Sequence, residues 1–295
     1  MITLRNNKLE VEIMKQGVTF VSFKSLSDGV NITTAFNSKE AYDVNGVYLG
    51  ALIGPLAGRT SPNRYGSNLD VNNPPNHLHG GKNGLHLKVF DVEQTDTKAI
   101  FTLNDDGVYY EINVSLEDDT LLLDMKATPS QARRLNLTNH MYFNLLNEEN
   151  LDNHQVELIA EKVSYVTEDI LNVGNLVAVK DTAFDLNKKT SVKDILSRTD
   201  EQFEITRHID HSYLANKVKL FAKNKTLSIE ATAPAMHLYF GNYLEGSGID
   251  SKGRDIQNHQ SLAIEPQYFP NDIDLPEYTK NKPFQETIKY TYTIK

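Results

Sequence analysis

Residues 110 to 125 read Y-E-I-N-V-S-L-E-D-D-T-L-L-L-D-M. Tyr110, Ile112, Val114 and Leu116 alternate with polar neighbours, and Leu121, Leu123 and Met125 do the same after the turn residues E-D-D-T at 117 to 120. A period of two sends every second side chain to one face of an extended chain, so each run predicts a half-buried strand and the two together an antiparallel hairpin. The period recurs at Leu9, Val11 and Ile13, at Val218, Leu220 and Ala222, at Leu227, Ile229 and Ala231 beyond K-N-K at 223 to 225, and at Ile288, Tyr290, Tyr292 and Ile294. Helical signals are confined to S-V-K-D-I-L-S-R from Ser191, with Ser191 as N-cap and Asp194 at the helix start. The loop-rich stretches near 60 to 84 and 245 to 259 read as excursions, not boundaries. The fold class expected is all-β, one large antiparallel β-sandwich domain over residues 1–295.

The totals fit such a chain. Of 295 residues, 39% are hydrophobic and 23% charged, ordinary for a globular protein with a sizeable core. A formal charge of -9 without runs of like charge repels phosphate backbones, so no nucleic-acid partner is expected. The absence of cysteine rules out disulfides, thiolate metal sites and a cysteine nucleophile. The start, M-I-T-L-R-N-N-K-L-E-V-E-I, already alternates like a strand, and no apolar window approaches the ~20 residues of a spanning helix. A cytoplasmic protein with no membrane partner is expected.

Residues 135 to 145, L-N-L-T-N-H-M-Y-F-N-L, carry no charge. On a continuous strand Leu135, Leu137, Asn139, Met141, Phe143 and Leu145 would share the core face, leaving Asn136, Thr138, His140, Tyr142 and Asn144 on the other. A polar, neutral face suits the reading of hydroxyl groups. It equally suits a strand packed under a loop with its polar groups satisfied internally. In S-L-A-I-E-P-Q-Y-F-P from Ser261, Leu262 and Ile264 point inward and Ala263, Glu265 and Gln267 the other way. Glu265 is then paired, functional, or on an exposed edge.

P-N-H-L-H-G-G at 75 to 81 places His77 and His79 on one side of an extended segment, followed by two glycines that let another backbone or a ligand come close. His-x-His invites a metal, but Asn83 and Gly84 stand where a cupin-like site has a glutamate, so no metal is expected. G-P-L-A-G-R-T at 54 to 60 fails as a phosphate loop, because the glycine spacing is short by one and arginine replaces lysine. It leaves Arg59, suited to vicinal hydroxyls or a carboxylate. No G-x-S-x-G elbow supports a serine hydrolase.

Together these segments resemble the aldose 1-epimerase (galactose mutarotase) family. The resemblance rests on A-L-I-G-P-L-A-G-R at 51 to 59, N-H-L-H-G-G at 76 to 81 and N-L-T-N-H-M-Y-F-N-L at 136 to 145. It continues through D-T-A-F-D-L at 181 to 186, I-D-H-S-Y-L at 209 to 214, Y-F-G-N-Y-L at 239 to 244 and I-E-P-Q-Y-F-P at 264 to 270. It implies a β-supersandwich, catalytic His140 and Glu265, and sugar contacts from Arg59, His79, Asp210, Tyr142 and His237. The chain departs from the family pattern where Pro55 and Gly58 replace an arginine and an asparagine, where His237 replaces a glutamine, and where Asn172 and Val173 alter an I-P-T-G turn.

The function so implied is interconversion of the α and β anomers of a hexose such as galactose or glucose. Glu265 would act as base on the anomeric hydroxyl and His140 as acid on the ring oxygen, the imidazolium being favoured by Asp210 and Glu265. The expected partner is a monosaccharide and no cofactor is implied; monomer and homodimer both stay open. A non-catalytic sugar-binding or sensing protein, and an inverting glycosidase using Asp210 and Glu265, are the alternatives.

Overall fold

The computed structural model describes residues 1–66 and 68–295. Its largest sheet has nine strands, in the order Thr190–Ser191, His154–Glu157, Lys217–Ala222, Lys225–Ala231, Phe284–Ile294, Thr120–Pro129, Val108–Glu117, Lys98–Asp105 and Asp91–Gln94, all antiparallel. The hairpin read from residues 110 to 125 supplies two of its interior strands, with Leu121 opposite Leu116 and Thr120 opposite Glu117. Tyr110, Ile112, Val114, Leu121, Leu123 and Met125 are all buried, as the alternation requires. The turn at 223 to 225 likewise closes a hairpin, pairing Ala222 with Lys225.

A six-stranded sheet runs Tyr142–Phe143, Leu262–Gln267, Ala235–Tyr239, Asp210–Tyr213, Lys162–Val166 and Asn172–Ala178. One cluster of buried apolar side chains draws on both sheets, and the Phe143 and Tyr290 rings meet across it at 5.9 Å. A three-stranded sheet of Ile2–Arg5, Leu9–Met14 and Thr19–Ser25 adds to that cluster through Phe23, whose ring lies 6.1 Å from that of Tyr292. The architecture is the all-β sandwich expected. The helix at Val192–Leu196 starts where expected, Ser191 accepting the Asp194 N–H at 3.0 Å. Two further α-helices, Ala41–Val44 and Glu201–Thr206, lie outside the expected helical signal; Asp200 caps the latter.

Residues 135 to 145 correct the sequence reading. They form two two-residue strands, not one continuous strand: Thr138–Asn139 pairs with Leu52–Ile53, and Tyr142–Phe143 joins the six-stranded sheet. Asn139 makes the break, its Oδ1 accepting the Met141 N–H at 3.0 Å and its Nδ2 donating to the Gly50 carbonyl at 3.1 Å. All eleven residues are buried, which is why none is charged.

Candidate active site

The six-stranded sheet turns one face to the core and the other to a cavity of about 530 Å³. On Asp210–Tyr213 the alternation sends His211 and Tyr213 inward onto Phe184, at ring distances of 4.7 and 6.5 Å, and Asp210 and Ser212 toward the cavity. Register then aligns two rows across the strands. Ser212, His237 and Glu265 form one, and Asp210, Tyr239, Ala263 and Tyr142 the other. Sequence-distant groups become neighbours because cross-strand pairs sit side by side.

His140 enters from the bend beside this sheet. The bend is held from both sides, His140 N–H donating to the Ala51 carbonyl at 2.9 Å and Gly50 N–H to the His140 carbonyl at 3.0 Å. His140 Nε2 lies 3.3 Å from Glu265 Oε1, and Glu265 Oε2 is buried with no hydrogen-bond partner among the described residues. Burial pushes His140 down to about 3, assisted by the nearby His237 charge, and pushes Glu265 up to about 7 against the opposing pull of His237. Burial therefore disfavours the imidazolium expected at position 140. Asp210 does favour it, as expected, but does not offset that burial, and both its oxygens are bound to other groups.

Both oxygens of Asp210 are engaged: Oδ1 lies 2.8 Å from His237 Nε2 and Oδ2 3.4 Å from Arg59 Nη1. Burial opposes its charge, but these two partners hold the carboxyl well below the usual range. Arg59 also donates from Nε to Asn73 Oδ1 at 3.2 Å. Burial likewise opposes charge on His237, yet the hydrogen bond to Asp210 and the carboxylates of Glu265 and Asp210 raise it above an ordinary histidine. Its Nδ1 lies 2.9 Å from Ser212 Oγ.

His77 and His79 do not share a side. His79 adopts φ +52°, turning the chain, so that its ring packs edge-on to His140 at 5.2 Å while His77 Nδ1 meets the Asp70 carbonyl at 2.9 Å away from the cavity. The close approach expected of the two glycines occurs at Gly80, where a Cβ would collide with the Gly54 carbonyl. His79, His140 and Glu265 bring potential donor atoms within 4.8 Å of one another, a set that could hold a cation. His79 does not fit that role. Its Nδ1 accepts the Gly58 N–H at 3.2 Å, so the neutral ring carries its proton on Nε2, where a metal would need the lone pair. Burial, followed by the charges of His140, Arg59 and His237, keeps this ring neutral, making it a hydrogen-bond donor to whatever fills the cavity.

Arg59, His79, His140, Asp210, Tyr142, His237 and Glu265 thus line one cavity. Tyr142 contributes its ring, 4.9 Å from that of His140, because its hydroxyl donates to the Val47 carbonyl at 3.0 Å. The hydroxyl-reading face proposed for 135 to 145 reduces to His140 and Tyr142. Asn136 and Asn144 are satisfied by backbone groups of Tyr268 and of Gln260, Leu146 and Glu148. Two further cavity residues, to which the sequence reading gave no role in the site, stand out. Tyr48 packs on His79 at 4.5 Å. Gln267 is buried with neither amide atom partnered among the described residues; its spacing of two from Glu265 was the available signal.

The whole chain, residues 1–295, matches the family described as Aldose 1-epimerase. Among curated relatives, the galactose mutarotase of Mus musculus is 28% identical, covering 93% of this chain and 87% of its own length. The aldose 1-epimerase of Escherichia coli is 29% identical, covering 94% and 88%. Among solved structures, galactose 1-epimerase from Lactobacillus acidophilus superposes with a TM-score of 0.89 at 25% identity, covering 99% of this chain and 93% of that one. An aldose epimerase homologue from C. elegans gives 0.90 at 22% identity, covering 99% and 98%.

Proposed function

Since the chain belongs to the aldose 1-epimerase family, a family of isomerases, we propose that it interconverts the α and β anomers of a hexose such as galactose or glucose. The observation that carries this reading is the pair His140 and Glu265, 3.3 Å apart in the cavity wall, with Glu265 Oε2 unpartnered. Opening a cyclic hemiacetal needs a base at the anomeric hydroxyl and an acid at the ring oxygen. Glu265 takes the hydroxyl proton as His140 protonates the ring oxygen, and the C–O ring bond breaks. The pair is then neutral His140 and protonated Glu265, the pattern that burial favours. Rotation about the C1–C2 bond exposes the other face of the aldehyde, and the reverse transfers close the ring. The pair cycles a single proton, so the reaction needs no cofactor. Arg59 and His79 hold the sugar with a charged and a neutral donor, Tyr142 offers its ring, and His237, both of whose ring nitrogens are engaged by Asp210 and Ser212, borders the sugar without donating to it.

An inverting glycosidase would use Glu265 as acid and Asp210 as base. Both Asp210 oxygens are committed to His237 and Arg59, which leaves it poorly placed to activate a water. The single-domain organisation proposed for residues 1–295 is supported by the cluster of buried side chains running from Ile2 to Tyr292. No helix among the described residues is long and apolar enough to cross a membrane, and a cytoplasmic site of action remains our proposal.

The test is polarimetry on freshly dissolved α-galactose and α-glucose, with the wild type and Glu265→Gln. The wild type should accelerate mutarotation and the variant should lose roughly 10²–10⁴-fold while retaining sugar binding by calorimetry. Binding without acceleration in the wild type selects the sensing alternative, and release of reducing sugar from aryl glycosides the glycosidase.

A further inference from the structure

His237 occupies a position where the family pattern has glutamine, and charged groups surround it. It pairs across the sheet with Ser212 on one side and Glu265 on the other, an arrangement that brings directly opposite side chains to roughly 4.5–5.5 Å at Cβ. Its Nε2 meets Asp210 Oδ1 at 2.8 Å and its Nδ1 meets Ser212 Oγ at 2.9 Å. A serine hydroxyl can serve Nδ1 as donor or acceptor, so the surrounding charges decide whether the ring is doubly protonated. The Asp210 carboxylate favours the imidazolium, and Glu265 adds to it when ionised. Against it stand, first, the burial of the ring itself, then Arg59, which is already paired with the second oxygen of Asp210, and the neighbouring histidines His79, His140 and His211. Burial keeps those three neutral. The 2.8 Å hydrogen bond to the Asp210 carboxylate tips that balance toward a charged ring, opposite Glu265 across the sheet.

Resting on the epimerase reading above, we propose that His237 is a positioning residue, the fixed cation that sets the pH range in which the His140–Glu265 pair holds one proton. A neighbouring positive charge makes both members of the pair release their protons more readily. It therefore moves the whole working range toward lower pH. A neutral side chain at 237 moves both limbs of the range upward, while the sugar-holding groups Arg59 and His79 stay in place.

The test uses His237→Gln, whose amide reaches the same two partners. Imidazole ¹⁵N resonances of the wild type at pH 7 should show His237 doubly protonated. The carboxyl ¹³C titration of Glu265 should move upward in the variant by on the order of one pH unit. Both limbs of kcat/KM for mutarotation should move the same way, which a lost sugar contact alone would not produce. A neutral His237 in the wild type, or an unmoved Glu265 titration accompanied only by a higher KM, overturns the proposal. Should the variant misfold, the wild-type imidazole spectrum still decides. The spectra need no turnover, so an inactive wild type would defeat the epimerase reading and leave the charge assignment standing.

Discussion

Asn136 grips the backbone of Tyr268 at two points, its Nδ2 donating to the Tyr268 carbonyl at 3.1 Å and its Oδ1 accepting the Tyr268 N–H at 2.9 Å. One amide thereby ties the segment carrying His140 to the segment that follows Glu265. The joint adds to the direct pairing of Tyr142 with Ala263, which sets the two proposed catalytic groups side by side.

Asn136→Ala removes both bonds and leaves two half-buried backbone groups of Tyr268 without this partner, which should cost on the order of 1–3 kcal/mol in urea unfolding. Because the joint also supports the His140–Glu265 spacing, kcat should fall further than the sugar affinity does. An unfolding midpoint within error of the wild type would show that the joint is not needed.

Gln267→Ala deletes an amide that has no partner among the described residues and faces the cavity. Polarimetric KM should rise about tenfold, equivalent to one lost hydrogen bond of about 1.4 kcal/mol, with kcat little changed. If KM is unaltered, Gln267 does not touch the sugar.

Gly58 sits at φ +76°, and a Cβ there would run into the Pro270 ring. Gly58→Asn, which restores the residue of the family pattern, should nonetheless lose about 1–3 kcal/mol, because asparagine tolerates the backbone angle but not the collision. Thermal denaturation gives the answer, and an unchanged midpoint would mean that Pro270 yields without cost.

Acid should weaken the fold through its buried histidines. The His208 ring stacks on Phe203 at 4.3 Å, neither of its nitrogens has a partner among the described residues, and burial, followed by the charge of His259, pushes it down to about 4. His86 and His154 are pushed down to about 4 as well, chiefly by burial. An unfolded histidine titrates near about 6.5, so between these values the unfolded chain binds more protons. The stabilisation is complete above about 6.5 and is lost as pH falls toward 4. Urea midpoints measured from pH 8 to 4.5 should drop, and His208→Phe should drop less steeply. Parallel curves would remove His208 from the account.

The fold was legible in the sequence because period two is a local signal, written into the hairpins at 110 to 125 and 218 to 231. The catalytic candidates were legible because carboxylate and imidazole groups stand out among neutral or apolar neighbours. The break at Asn139 was not, since a single side chain turned back on its own backbone decides it, and a run of alternating residues conceals such a turn. Nor was the direction of His77, which a positive φ at His79 governs. The charge state of the site was misread for a third reason. Asp210 lies near His140, but its two oxygens belong to Arg59 and His237, a commitment that only register reveals.

The main-chain N–H of Gly58 that points at His79 has one further consequence. By fixing where the ring keeps its hydrogen, it gives the cleft resistance to poisoning. To coordinate there, trace zinc or nickel would have to set two donors head to head. Protein eluted from a nickel column should therefore carry a cleft still open to sugar.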